Sequence, residues 1–294
     1  MFVLTEIRFS SIIRSIPPSP FKVRGFKGGI LHMDYTTILF DVRDNIAHIT
    51  LNRPEAANTM NEDMGRDLMH AVLHCDEDSS IRAVVLTGKG SLFCAGGDLK
   101  SFTTQGKHLP YFLKEVTTYL HAAISRLTRM SPPVIAAVNG FAAGAGMSLA
   151  LASDIVVAAQ SARFNVAYTR VGLTPDGSLS YFLPRCVGLK RALELTLTNR
   201  VLSAQEALDW GIVNRVVPDG ELLEQANAIA TQLAAGAPKA LGAAKRLLHM
   251  GWNETLETQM EHESQAIASM AKTADTHEGI SAFIEKRLPK FKGE

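Results

Sequence analysis

The sequence predicts an α/β protein built around a parallel β-sheet. Three short apolar runs, Ala83–Gly88, Val134–Val138 and Asp154–Ala158, have the composition of strands that are buried on both faces. Stretches with apolar residues at helical spacing separate these runs, as in strand–helix–strand units with right-handed parallel crossovers. After about Lys190 the strand-like runs nearly stop, and helical patterns fill the rest of the chain.

The predicted elements follow one another at short intervals. Before residue 190 we expect strands over Thr37–Val42, Ile46–Leu51 and the three apolar runs, with helices over 61–75, 109–127 and 145–152. Beyond it we expect helices over 190–198, 203–210, 221–235, 238–249 and 253–288, with one short strand at 212–217. The longest early helix has an apolar stripe formed by Leu113, Val116, Leu120, Ile124 and Leu127.

Three parts of the chain are expected from these patterns. Residues 1–32 form a leader or a mis-assigned start, residues 33–232 the core, and residues 233–294 a C-terminal helical region that packs on a neighbouring subunit. The leader has five basic residues against one acid, Glu6, which is typical of a mitochondrial transit peptide. Alternatively the native chain starts at Met33. We expect a cytoplasmic protein, or a mitochondrial-matrix protein if residues 1–32 are a transit peptide.

Composition excludes several classes of protein. The 294 residues contain 30 Lys+Arg against 29 Asp+Glu, so no basic excess is available for a nucleic-acid backbone. No apolar run reaches the ~18 residues that a membrane-spanning helix needs. The three cysteines, Cys75, Cys94 and Cys186, are widely spaced and form no CxxC pair, which argues against a disulfide framework or a zinc site. We therefore expect an enzyme with neither a nucleic-acid nor a membrane partner.

Two glycine-rich loops are the first candidates for chemistry. Residues 91–99 and 139–148 each follow a buried strand, and the second loop leads into a helix. Residues without a Cβ let backbone N–H groups approach a ligand closely, and a helix N-terminus favours negative charge. Two N–H groups from separate loops are able to hold an anionic carbonyl oxygen. The second loop matches neither GxGxxG nor the Walker pattern, so a nucleotide-phosphate cradle is disfavoured.

Taken together, these loops resemble those of a known family. Leu51–Pro54, Phe93–Leu99 and Ala136–Gly146 resemble motifs of the crotonase (enoyl-CoA hydratase/isomerase) superfamily, and the resemblance continues through Ser153–Ile155 and Ala207–Val213. It implies a crotonase-like spiral of ββα units with a C-terminal helical trimerisation region, assembled as a homotrimer or a dimer of trimers. The implied substrate is an acyl thioester of coenzyme A, with no metal and no separate cofactor.

The same resemblance assigns candidate binding residues. The thioester oxygen would lie between the backbone N–H groups of Gly97 and Ala145, which would stabilise an enolate. Family members usually have glycine at the second place, and alanine supplies the same N–H unless the backbone there requires a positive φ. Asp98 is a candidate catalytic group beside this loop, although an N-cap for the next helix explains it more simply. The candidate substrate-binding residues are Ala57, Ala95, Asp98, Leu99 and Gly144.

The sequence departs from the hydratases of this family at two positions. Hydratases use two glutamates to deliver water across the double bond, and here those positions are Ser148 and Tyr168. Neither side chain is a carboxylate able to move a proton near pH 7. Ordinary hydratase activity is therefore not expected.

Asp176 is the candidate catalytic acid, in the stretch Gly172–Gly177. By its residues alone, Thr-Pro-Asp-Gly is a good turn. Within the family, an aspartate here resembles two groups: isomerases of the phenylacetate pathway, in which it moves a proton, and 4-chlorobenzoyl-CoA dehalogenases, in which it is the nucleophile. For the dehalogenase, Tyr168 would orient the aspartate and His121 would be the base. The alternatives are a core tyrosine and an inert, half-exposed histidine.

The predicted function is thus an enoyl-CoA isomerase with Asp176 as the proton shuttle. A dehalogenase-like hydrolase is the first alternative. The second is a chain that has lost catalysis and serves as a structural or RNA-binding protein; the missing glutamates permit this, and the neutral charge argues against RNA.

Overall fold

The computed structural model describes residues 23–27 and 30–294, with side chains from Asp34 onward. Much of the predicted leader, residues 1–22 together with 28 and 29, lies outside the described residues. Two antiparallel strands, β1 (Val23–Lys27) and β2 (Ile30–Met33), belong to a first unit that ends at Asp34. A second unit comprises Tyr35–Glu294.

The second unit contains nine strands and eleven α-helices. The strands are β3 (Ile38–Arg43), β4 (Ile46–Leu51), β5 (Ala83–Gly88), β6 (Val134–Val138), β7 (Phe141–Ala143), β8 (Ile155–Ala159), β9 (Arg163–Asn165), β10 (Leu202–Ser203) and β11 (Arg215–Val217). The helices are α1 (Glu62–Glu77), α2 (Leu99–Thr103), α3 (Leu109–Arg129), α4 (Ala145–Ala152), α5 (Leu179–Val187), α6 (Leu189–Thr198), α7 (Ala204–Asp209), α8 (Leu222–Ala234), α9 (Pro238–Met250), α10 (Leu256–Met270) and α11 (Ala274–Glu285).

A six-stranded sheet forms the centre, in the order β11-β8-β6-β5-β4-β3. All neighbouring pairs are parallel except the β3–β4 hairpin. All five residues of β6 are buried, as are five of the six in β5, because helices cover both faces of such a sheet. The predicted parallel α/β core is confirmed, and the predicted bounds of β4, β5 and β6 match those observed.

A second, three-stranded sheet lies beside the first, in the order β10-β9-β7. The sequence analysis missed it because its strands have only two or three residues, too few to show an alternating pattern. The sheet positions the second glycine-rich loop, because β7 is part of that loop and the backbone oxygen of Asn165, at the end of β9, accepts a hydrogen bond from the Gly144 N–H (3.1 Å).

Several helix predictions need correction. The predicted helix at 253–288 is two helices, α10 and α11, because Thr273 caps a new helix by accepting the Thr276 N–H. Helix α5 was not expected; it starts after Ser178 in a left-handed conformation (φ 67°) and contains Pro184, and both features usually mark loops. The strand predicted at 212–217 is confined to Arg215–Val217.

The helical C-terminal region is present as α9, α10 and α11. Many apolar side chains of the last two helices are exposed, including Leu256, Ile267, Phe283 and Ile284, and so is Leu288 just beyond α11. Of the residues described, no helix is long and apolar enough to cross a membrane.

Candidate active site

The two glycine-rich loops meet at a cavity of about 300 Å³, here called the inner cavity. The loops contribute Gly97, Gly144 and Ala145, and the segment after β9 contributes Tyr168 and Asp176. Apolar side chains from α2 and α3 form one part of the remaining wall: Leu99, Phe102, Leu113, Val116 and Leu120. Two candidate N–H donors and a carboxylate therefore share one mainly apolar space.

The first loop aims the Gly97 N–H at this cavity. Met60 pairs with Gly97 in a parallel bridge: the Met60 N–H donates to the Gly96 oxygen (2.7 Å), and the Asp98 N–H donates to the Met60 oxygen (2.9 Å). In such a bridge Met60 uses both of its backbone groups, whereas those of Gly97 point away from Met60. The Gly97 N–H is therefore left for a ligand.

The second loop supplies the Ala145 N–H. Gly144 has φ 49° and ψ −120°, a conformation that glycine adopts readily, and Ala145 is the first residue of α4. The first N–H groups of a helix have no acceptor within the helix, and they lie at its positive end. Ala145 itself has no positive φ. Alanine in place of the usual glycine therefore keeps the donor.

The two loops are fixed to each other. The Cys94 N–H donates to the Phe141 oxygen (3.1 Å), and the Ala143 N–H donates to the Cys94 oxygen (2.9 Å). A methyl group on Gly146 would come within 2.2 Å of that Cys94 oxygen. Glycine is required at position 146 because the backbones of α4 and the first loop touch there.

Asp176 belongs to a buried hydrogen-bonded chain. The Tyr168 hydroxyl donates to Asp176 Oδ1, and Ser148 Oγ lies 3.2 Å from that hydroxyl and 3.0 Å from the Asp176 backbone oxygen. Burial raises the pKa of Tyr168, and the neighbouring Asp176 charge raises it further, so the phenol keeps its proton. Burial raises the pKa of Asp176, while the Tyr168 hydrogen bond and the nearby His121 lower it. Burial thus favours the protonated, neutral form of the Asp176 carboxyl group, and its Oδ1 already accepts a hydrogen bond.

Ser148 is a site residue that the sequence analysis treated only as a missing glutamate. It is fully buried on α4, behind Tyr168. Of the residues described, 30–294, Asp176 is the only carboxylate that lines the inner cavity. The arrangement supports proton transfer by one carboxylate opposite two N–H donors.

His121 lies behind the Asp176 segment. Its Nε2 accepts a hydrogen bond from the Gly177 backbone N–H (3.1 Å). The side chain is exposed and lines a different groove, together with Ser178 and Tyr181, rather than the inner cavity. The structure therefore places His121 near Asp176 but with its ring nitrogen already engaged.

Four of the five predicted substrate-binding residues lie along a second space, here called the outer groove, whereas Gly144 lines only the inner cavity. Ala57 and Asp98 line this groove, while Ala95, Gly97 and Leu99 line both it and the inner cavity. The Asp98 carboxylate is engaged: it accepts the Ser101 N–H, as the predicted N-cap of α2, and pairs with Arg53 at 2.8 Å. The sequence analysis did not find the Arg53 pairing, because 45 residues separate the two partners.

The comparisons with curated proteins are consistent with this geometry. The chain is 41% identical to a probable enoyl-CoA hydratase of Rhodobacter capsulatus, over 89% of this chain and 100% of the relative. It is 39% identical to the 1,2-epoxyphenylacetyl-CoA isomerase of Escherichia coli, over 87% and 98%. It is 35% identical to 4-chlorobenzoyl coenzyme A dehalogenase-2 of Arthrobacter sp, over 83% and 89%.

The same family emerges from solved structures. The crystal structure of an enoyl-CoA hydratase from Polaromonas matches with a TM-score of 0.84 and 37% identity, over 87% of this chain and 99% of that one. A sequence model of the family described as enoyl-CoA hydratase/isomerase matches residues 41–294. The resemblance inferred from the loop motifs is confirmed: the chain belongs to the enoyl-CoA hydratase/isomerase family.

Proposed function

We propose that this family member is an enoyl-CoA isomerase, which moves a double bond along the acyl chain of a coenzyme A thioester. The observation that carries the proposal is the inner cavity itself. Among the residues that the structure describes, one carboxylate, that of Asp176, lines this cavity together with Gly97 and Ala145, whose N–H groups have no backbone partner there.

The chemistry needs only these groups. The thioester oxygen accepts hydrogen bonds from the Gly97 and Ala145 N–H groups, and Asp176 removes a proton from C2 or C4 of the acyl chain. The electron pair moves through the conjugated chain onto the thioester oxygen, giving an enolate that the two N–H groups stabilise. Asp176 then returns the proton to the other carbon, so the product is an isomer of the substrate. A raised pKa suits a carboxylate that is both base and acid.

Tyr168 would keep the carboxylate in place during both steps. Its hydroxyl occupies Asp176 Oδ1, which leaves Oδ2 for the substrate carbon. Because burial raises the pKa of Tyr168, the tyrosine remains a donor and does not compete for the proton.

The same site argues against hydration as the main reaction. A hydratase positions and activates a water molecule with two carboxylates, and the residues at those positions are Ser148 and Tyr168. Most of the surface that lines the inner cavity is apolar, which disfavours a bound water molecule there. Similarity to relatives named as hydratases therefore supports the family but does not determine which reaction this site catalyses.

The test is turnover on a panel of acyl-CoA substrates: 3-enoyl, 2-enoyl, phenylacetyl-derived and 4-chlorobenzoyl thioesters. We expect interconversion of the enoyl isomers, with hydration slower. Asp176→Asn should lose about 10²–10⁴-fold in kcat and still bind acyl-CoA. Asp41→Asn, which changes an exposed carboxylate on β3, is the matched control. Hydration as the dominant reaction of the wild-type protein, or unchanged turnover in Asp176→Asn, would contradict the proposal.

A dehalogenase-like reaction is the second candidate, and the bond between Tyr168 and Asp176 would suit it equally well. Its base would be His121, whose Nε2 is occupied by the Gly177 N–H. Because that base is needed to hydrolyse the aryl-enzyme ester, we expect no sustained release of chloride from 4-chlorobenzoyl-CoA over many turnovers. Rapid release, with an aryl-enzyme ester accumulating in His121→Gln, would establish the dehalogenase and replace the isomerase proposal.

A further inference from the structure

Arg53 lines the outer groove and not the inner cavity, and it contacts Asp98 in the loop that carries Gly97. We propose that Arg53 is a positioning residue for the Gly97 N–H. Its guanidinium bonds at once to the Asp98 carboxylate and to the Thr59 carbonyl oxygen, one on each side of the Met60–Gly97 bridge. The inference rests on the proposed function, in which that N–H stabilises an enolate.

The two hydrogen bonds from the Arg53 guanidinium, to Asp98 and to Thr59, are here called the fork. Arg53 Nη2 donates to Asp98 Oδ2 at 2.8 Å, and Arg53 Nη1 donates to the Thr59 oxygen at 2.6 Å. Because a guanidinium group is planar and rigid, it fixes the separation of its two acceptors. Those acceptors belong to the chain neighbours of Met60 and Gly97, so the fork holds the bridge in register.

Arg53 is itself anchored. The Arg53 backbone N–H donates to Asn58 Oδ1 (2.9 Å). The Asn58 side-chain nitrogen Nδ2 donates in turn to the carbonyl oxygens of Lys89 (2.9 Å) and Leu92 (2.8 Å). Asn58 is fully buried. The fork is therefore fixed to the end of β5, which is a rigid part of the central sheet.

The loop depends on such support because of its composition. Gly96 has φ 109°, a conformation that favours glycine, and Gly97 follows it without a side chain to pack. Glycines lose more conformational freedom on folding than other residues, so neighbouring contacts must hold them. The side chains of Arg53 and Asp98 are only 18% and 12% exposed, which limits the screening of their attraction by solvent.

Loss of the fork should affect the transition state more than binding. Arg53 lines the outer groove and not the inner cavity, so the acyl part of the ligand keeps its contacts with the inner cavity, whereas the Gly97 N–H loses its alignment with the enolate oxygen. We expect Arg53→Met to lower kcat about 10- to 100-fold, with KM changing much less. Arg53→Lys should recover part of kcat, because a lysine reaches Asp98 but cannot bond both acceptors as a fork.

The direct measurement is the carbonyl stretch of a bound saturated acyl-CoA with ¹³C in its thioester carbonyl, by Raman difference spectroscopy. Hydrogen bonds to the oxygen lower this frequency. We expect Arg53→Met to move it toward the value in water, with Arg53→Lys between the two. Arg66→Met is the matched control, since the Arg66 side chain is 20% exposed and pairs with Glu62 on α1. It should leave kcat and the frequency unchanged.

Asp98→Asn provides a second route if Arg53→Met does not fold. An asparagine still caps α2 through the Ser101 N–H but loses the ion pair. It should shift the carbonyl frequency in the same direction.

Folded Arg53→Met and Asp98→Asn proteins with the wild-type frequency would overturn the positioning role. That readout needs only binding of a saturated thioester, so it stands apart from the proposed reaction. Failure of the wild-type protein to isomerise any enoyl-CoA would instead refute the proposed function.

Discussion

The Tyr168→Phe substitution tests the organisation of the site most sharply. It removes the hydroxyl that donates to Asp176 Oδ1 and contacts Ser148, and it leaves the aromatic ring that is packed in the core. A hydrogen bond to a charged group contributes about 1.5–3 kcal/mol. That free energy corresponds to a factor of roughly 10–150 in the protonation equilibrium of the carboxyl group.

The direction of the change in the Asp176 pKa follows from the Tyr168 hydrogen bond. The Tyr168 hydroxyl stabilises the ionised carboxylate and so lowers the pKa of Asp176 against the larger effect of burial. Removing it should raise that pKa further. Since proton removal needs the ionised form, the acidic limb of the pH profile of kcat should move to higher pH in the variant, while the plateau falls because the carboxylate is less well oriented.

The assay is isomerisation of an enoyl-CoA across the pH range in which the protein stays folded. Tyr181→Phe is the control, because the Tyr181 hydroxyl contacts Asn253 and does not line the inner cavity. If Tyr168→Phe gave the pH profile of the wild-type protein, Tyr168 would be a packing residue and the reasoning about Asp176 would be wrong.

Three further predictions concern stability and assembly. Asp176→Asn should raise the melting temperature at neutral pH. Burial raises the pKa of Asp176 in the folded protein, so the wild-type protein becomes less stable as the pH rises and this carboxyl group ionises. The difference between variant and wild type should vanish toward pH 4, and a difference that is the same at every pH would contradict this reasoning. Lys245→Met should lower the melting temperature by roughly 6–12 °C in calorimetry, because Asp154 loses the buried ammonium group that lies 2.7 Å from its carboxylate. Adding Asp154→Asn to this variant should restore part of the lost stability. Phe283→Glu, at a side chain that is 86% exposed, should dissociate the expected trimer in light scattering, and a wild-type monomer would refute the expectation.

The central sheet was predictable from sequence because its signals are local and redundant. The run Val134–Val138 is apolar throughout, and all five residues are buried. Helix α3 likewise repeats its apolar positions over many turns. The strands β9 and β10 have no such repetition, and their pairing is decided by residues about forty positions apart in the chain. The break before α11 did have a local signal, the N-cap Thr273, which the helical periodicity on either side obscured.

The site divides in the same way. Both loops and Asp176 were found from their motifs, and the structure brings them to one cavity. The Ser148–Tyr168 contact and the Arg53–Asp98 pair join distant segments, and nothing near these residues in the sequence indicates the partner. His121 was named from the resemblance as a candidate base, and only the structure shows that its Nε2 accepts the Gly177 backbone N–H.

The junction of the outer groove and the inner cavity has a consequence for how this site could diversify. Ala95, Gly97 and Leu99 line both spaces, and Leu113, Val116 and Leu120 from one face of α3 line only the inner one. In the proposed reaction, a ligand that spans the two spaces would contact a different set of side chains on each side of the reacting carbonyl, apart from the three residues that the spaces share. Substitutions along α3 can change which acyl group fits, while the recognition of the other half of the ligand is inherited intact.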